Sequence, residues 1–197
     1  MTDQELMQEI KLKYGALLVS VSSSSSVPPG FLAGMIANES EGALNAKRFE
    51  PAVLSSLWQV LLGRKAAYGS IGRADLVAYI ADLPPASVSV PETFSRDAFQ
   101  NLDSLASSWG LTQIMGYHVL EHGCPAEHHG DLQNAEVSLK ATIWMLAKFA
   151  AEFSLDLGTD FEDLLRCWNT GRPDGKTFDP AYVSNAMNRK AIYEALP

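Results

Sequence analysis

The chain has 197 residues, 47% hydrophobic and 19% charged, a balance that suits one globular domain with a substantial core. Its net charge of −8 argues against nucleic acid as a partner, because phosphate binding draws on clustered Lys and Arg. No apolar run approaches the roughly 18 residues that a membrane-spanning helix needs, so no membrane insertion is expected. The two cysteines, Cys124 and Cys167, are too few for a disulfide framework and read as reduced, semi-buried residues.

The N-terminus, "MTDQELMQEIKLKYGALLVSVSSSSS", places acids before lysines and has only a short apolar run, so it does not read as a standard signal peptide. Residues 3–13 predict a short surface helix. Residues 20–30, "SVSSSSSVPPG", read as a serine-rich linker ending in a Pro-Pro helix start. The expected organisation is an N-terminal helix and linker over 1–27 and a main domain over 28–197.

In "LAGMIANESEGALNAKRFEP", Leu32, Met35 and Ile36 share one helical face, and that face next reaches Glu39, while Glu41 points elsewhere. A carboxyl among apolar neighbours loses solvation on ionising, so its pKa rises, as general acid chemistry requires. The other reading is a glutamate frayed into solvent at a helix end that Gly42 stops.

Helices are predicted for "PAVLSSLWQVLLGR", "RADLVAYIAD" and "SRDAFQNLDSLASS", the last with Ser95 as N-cap. "SVSVPETF" is an extended connection or edge strand. The longest helix is expected from Asp131 to Phe153, apolar on nearly every side and therefore central. "DFEDLLRCW" and "PAYVSNAMNRKAIYEAL" follow, the second with Pro180 in its first turn. The fold class is mainly α with at most a small β element.

Two further segments carry candidate chemistry. "SSWGLTQIMGYH" sets Gln113, a donor and acceptor at one point, between apolar residues, with Gly110 and Gly116 permitting close backbone approach and aromatics, Tyr117 among them, at both ends. "CWNTGRPDGKTFDPAYVSNAMNR" ends one helix, turns through Gly, Pro and Asp, and puts Tyr182 early in the next. Sugars are bound by such amides and aromatic faces, although a loop and a helix C-cap also account for the residues.

The ordered set "NES", "SWGLTQIMG" and "WNTG", followed by a Tyr-bearing helix, resembles the lysozyme-like muramidases. It is most similar to the bacterial and phage N-acetylmuramidase group, and more distantly to goose-type lysozymes and soluble lytic transglycosylases. "KRFEP" resembles the element that follows the catalytic glutamate there. The resemblance covers residues 28–196 and implies a lysozyme-like helical domain that cleaves peptidoglycan glycan strands.

On that resemblance Glu39 is the general acid and Ser40 the serine beside it. Gln113, with the backbone of Ile114 and Met115, holds the N-acetyl groups, and Tyr117 is a further substrate-binding residue. Trp168, Asn169 and Tyr182 line the cleft, and Glu50 positions water or orients Glu39. Asp97 and Asp103 are lesser candidates for a second carboxylate. Trp168 stands where the family has a tyrosine, and Pro51-Ala52 where it has a basic pair. Action at the cell wall then implies phage-type release or non-classical export.

"HVLEHGCPAEHH" brings His118 and His122 to a spacing of four, with Cys124, His128 and His129 following, which zinc can use. It lacks the His-Glu-x-x-His order of a zinc protease, and neither a metal nor another cofactor is expected. Two non-catalytic readings compete with the enzyme: an inactive wall-binding or phage structural module, and an intracellular helical interaction protein.

Overall fold

The computed structural model describes residues 1–82 and 96–197, with side chains described outside residues 82 and 96–100. Within them are eight α-helices, a three-stranded antiparallel sheet and a two-stranded hairpin, the mainly α architecture with a small β element that was expected. "SVSVPETF" and the proposed Ser95 cap lie outside the described residues.

Helix α1 (Asp3–Ser22) starts at a capping box in which Thr2 Oγ1 accepts from the Glu5 amide and Glu5 Oε2 from the Thr2 amide. It runs nine residues past the predicted end at residue 13, because Tyr14, Leu18 and Val21 continue the buried stripe of Leu6, Met7 and Ile10. The serine tract is correspondingly not a free linker. Ser23, Ser24 and Ser25 turn their hydroxyls back onto the carbonyls of Ser20, Val21 and Ser22, which closes the helix in a tight turn. Residues 1–27 therefore belong to the main core: α1 packs on the helices that precede and follow the site, within one apolar cluster.

Helix α2 (Pro29–Glu39) takes Pro29 in its first turn and is buried from Gly30 to Ala37. Strand β1 (Lys47–Phe49), α3 (Pro51–Leu61), the hairpin β2 (Ala67–Tyr68) and β3 (Ile71–Gly72), α4 (Arg73–Asp82) and α5 (Arg96–Leu105) follow. Then β4 (Ser107–Trp109) pairs with β1, Arg48 opposite Ser108, and with β5 (Ile114–Met115), Ser108 opposite Met115. These strands are two or three residues long, too short for an alternating pattern to show in the sequence.

The long helix predicted from Asp131 begins four residues later. Residues His129–Gln133 form a 3-10 turn, and Asn134 then caps α6 (Ala135–Phe153) by accepting from the Glu136 and Val137 amides. At 19 residues α6 is shorter than the 20 of α1, so the expected ranking reverses. Helix α7 (Phe161–Thr170) ends at a left-handed Gly171, and α8 (Tyr182–Ala195) starts two residues after Pro180 rather than around it.

The largest apolar cluster joins α1, α2, α6, α7 and α8. A second gathers α3, α4, α5 and β3 around Leu57, Leu61, Leu76 and Leu102. A third, with Trp109, Ile114, Leu132 and Ala141, lies along the sheet. No helix among the described residues is long and apolar enough to cross a membrane.

Candidate active site

Leu32, Met35 and Ile36 are fully buried, and Glu39 closes their face as the last residue of α2. It is not frayed. The residue is half-buried, and the Tyr182 hydroxyl, from the first turn of α8, donates to Glu39 Oε1. Desolvation raises the Glu39 pKa above the ordinary carboxylate value, partly offset by the Tyr182 hydrogen bond and the Arg48 charge. Burial, together with the carboxylate, pushes the Tyr182 phenol up in turn, so it stays a neutral donor. Glu41 is exposed, in a left-handed turn (φ 50°), and points away as expected.

The pair is held from behind. The Asn38 side chain donates to the Tyr182 carbonyl at 2.7 Å and accepts from Arg189 Nη1 at 2.8 Å. Arg189 also reaches the Ala37 carbonyl and, through Nε, Asp3 Oδ1 at 2.9 Å. One chain of polar contacts thus runs from the start of α1 through α8 to the end of α2. Neither Asn38 nor Arg189 stood out in the sequence. The available signal was that Asn38 adjoins Glu39 and that Arg189 lies seven residues, two helical turns, after Tyr182.

The turn between β4 and β5 is the second structural part. Gly110 takes φ 75°, and a Cβ there would meet the Leu132 carbonyl oxygen at 2.1 Å, so only glycine fits. The close approaches at Gly110, and likewise at Gly116, are to the protein's own backbone. Gln113 is left-handed (φ 56°) and braces its own turn: Oε1 accepts from the Ser108 hydroxyl at 2.8 Å, and Nε2 donates to the Gly110 carbonyl at 3.0 Å. One Nε2 hydrogen is left for a ligand.

Ser40 donates to the Leu111 carbonyl at 2.7 Å, tying the end of α2 to this turn. From the other side Trp168 Nε1 donates to the Thr112 carbonyl at 3.2 Å, while the Thr112 hydroxyl is buried against Thr142. The 110–113 turn is therefore gripped by the residue beside Glu39 and by the aromatic that ends α7.

A cavity of about 510 Å³ opens beside the turn. Of the sequence-predicted residues, Gln113, Ile114, Met115, Tyr117, Trp168 and Asn169 line it. Glu39, Ser40, Glu50 and Tyr182 do not; of these, Ser40 meets the 110–113 turn beside the cavity through the Leu111 carbonyl. Tyr68 of the β2–β3 hairpin, edge-on to Tyr117 at 5.2 Å, completes an aromatic wall that the sequence did not suggest. Phe149, Lys148 and Glu152, from the end of α6, also line it and were likewise missed.

Glu50 has a different setting from Glu39. Its amide bonds the Ala106 carbonyl, and its Oε1 accepts from Arg48 Nε at 2.7 Å at the exposed start of α3. Asp103 pairs with Lys47 at 3.4 Å. The side chain of Asp97 is among those not described.

The histidine segment does not set its spacing of four on an α-helix. Residues Gly116–Leu120 are a 3-10 turn, which removes the spacing-of-four relation, and His122 is exposed beyond it. His118 Nδ1 meets Glu121 Oε1 at 3.0 Å, and burial lowers the His118 pKa. His129 Nδ1 meets the Tyr79 hydroxyl at 2.7 Å. Among the described residues no three His, Cys, Asp or Glu side chains gather to hold a metal.

Compared with protein-family profiles, with characterised proteins and with solved structures, the chain gives no match. The reading of the site therefore rests on its own geometry.

Proposed function

We propose that the protein cleaves the β-1,4 bond between N-acetylmuramic acid and N-acetylglucosamine in peptidoglycan, with Glu39 as the general acid. The observation that carries this reading is a desolvated carboxyl, on the end of a buried helix, that meets the hydroxyl of Tyr182. A raised pKa favours the protonated form that a general acid must present. Glu39 gives that proton to the glycosidic oxygen as the C1–O bond breaks and oxocarbenium character develops. The carboxylate left behind is stabilised by the Tyr182 hydroxyl and by the charge of Arg48.

The second step belongs to water or to the sugar's own 6-hydroxyl. Glu50 and Asp103 are both held by cations, Arg48 and Lys47, and so are poorly placed to act as a free base or nucleophile. This favours Glu39 taking the proton back from the attacking hydroxyl. The cavity beyond the 110–113 turn offers the amides of Gln113 and Asn169 and the faces of Trp168 and Tyr117 to the glycan.

A second reading, a wall-binding module that does not cleave, is favoured by one observation: the cavity walls do not include Glu39. Purified sacculi separate the two. Wild type is expected to release muropeptides, reducing-ended if water attacks and anhydro-muramyl if the 6-hydroxyl does, read by mass spectrometry. Glu39→Gln is expected to release none. Equal release by both proteins refutes the Glu39 assignment, and binding without release by wild type leaves the wall-binding module.

A further inference from the structure

The cavity carries an electrostatic feature that a neutral glycan does not call for. Three of its lining residues can bear charge: His118, Lys148 and Glu152. Burial lowers the His118 pKa, which favours the neutral ring, and its Nδ1 is taken by Glu121. Lys148 forms an ion pair with that same Glu121 and lies over the Trp144 ring at 4.7 Å. Glu152 has no hydrogen bond or ion pair among the described residues. The free charge of the wall is one carboxylate.

Two helix ends add to it. Phe149 and Glu152 bring the last turn of α6 to the cavity, and Cys167 to Thr170 bring the last turn of α7. Neither turn contains a basic residue. Unsatisfied carbonyls make a helix C-terminus a negative pole, and cations are stabilised beside it. Around this pole stand Trp168, Phe149, Tyr117 and Tyr68, whose ring faces attract cations.

We propose that this cavity binds a primary ammonium group, held by Glu152 where the last turns of α6 and α7 border it and flanked by the Trp168 and Phe149 rings. An anionic ligand would meet the carboxylate and both negative poles. A fully N-acetylated glycan would leave Glu152 unused. This deepens the proposed function and rests on it for the source of the amine, which is either a peptide borne by the glycan or a glucosamine lacking its acetyl group.

Two matched probe pairs test it by isothermal titration calorimetry: a glucosamine tetramer against its fully N-acetylated form, and a lysine-containing tetrapeptide against its N-acetylated form. Wild type is expected to prefer the free amine in one pair by about three- to fivefold, the size of a partly exposed ion pair, and that pair identifies the source. Glu152→Gln, an exposed substitution expected to unfold at the wild-type temperature, should abolish the preference. Absence of any preference in wild type, or a preference that survives in Glu152→Gln, overturns the proposal. Sacculus digestion run alongside keeps the two readings apart. Amine preference without cleavage upholds this site and removes the glycosidase, while cleavage without amine preference does the reverse.

Discussion

The seating of Tyr182 against Glu39 depends on how closely α8 approaches α2, and a glycine sets that approach. A Cβ added at Gly34 would lie 2.6 Å from the Ala186 carbonyl oxygen and 3.3 Å from the Lys190 amide nitrogen, both backbone atoms that cannot rotate away. Real Cβ contacts essentially never fall under 3.0 Å, so Gly34→Ala must push the helices apart by several tenths of an ångström. Overpacking of this kind costs about 1–3 kcal/mol. For a chain of this size each kcal/mol lowers Tm by roughly 2–4 °C, a total of roughly 2–12 °C.

Gly15, inside α1, is the matched control. A Cβ there meets Lys11 and Tyr193 at 3.5 and 3.6 Å, ordinary contact distances. Gly15→Ala should therefore gain the helix propensity difference of about 0.8–1 kcal/mol and raise Tm. Scanning calorimetry of the two variants reads opposite signs. Equal shifts in the same direction would refute the claim that α2 and α8 are in backbone contact at Gly34.

Three further outcomes follow from the same geometry. Leu18→Ala, at a fully buried position of α1, is expected to cost about 2–5 kcal/mol in urea unfolding; a cost near zero would mean that α1 is detachable. Asn38→Asp keeps an acceptor for Arg189 but sets a second acceptor against the Tyr182 carbonyl, and should cost about 1–3 kcal/mol in the same assay. Glu39→Gln should gain stability relative to wild type as pH rises. The folded Glu39 pKa lies above its ordinary 4.5 because of burial, so wild type enjoys this group's stabilisation below 4.5 and loses it as pH climbs through the folded value. Urea midpoints that move in parallel for both proteins from pH 4 to pH 8 would contradict that burial.

What was legible in the sequence is what period and capping carry. The stripe Leu32–Met35–Ile36 pointed at Glu39, and Pro51 opened α3 where expected. The serine tract misled because composition suggested flexibility, whereas hydroxyls returning to carbonyls three residues earlier finish a helix. The Arg48–Ser108–Met115 row was illegible, since Arg48 and Ser108 pair across 60 residues of sequence. Gln113 lies among the cavity-lining residues, yet two of its hydrogen bonds stay within its own turn, which no single-sequence pattern reveals. Glu152 and Tyr68 carried no signal because each is an ordinary residue locally and reaches the cavity wall only through the tertiary fold.

The Glu39–Tyr182 contact spans 143 positions of the chain, and the Arg189–Asp3 contact spans 186. Bringing such distant segments together carries a loop-closure entropy, one that grows only slowly with their separation. During ribosomal synthesis Glu39 emerges long before the helix that supplies its hydroxyl donor. Until that helix has docked, Glu39 lacks the Tyr182 hydroxyl as a partner.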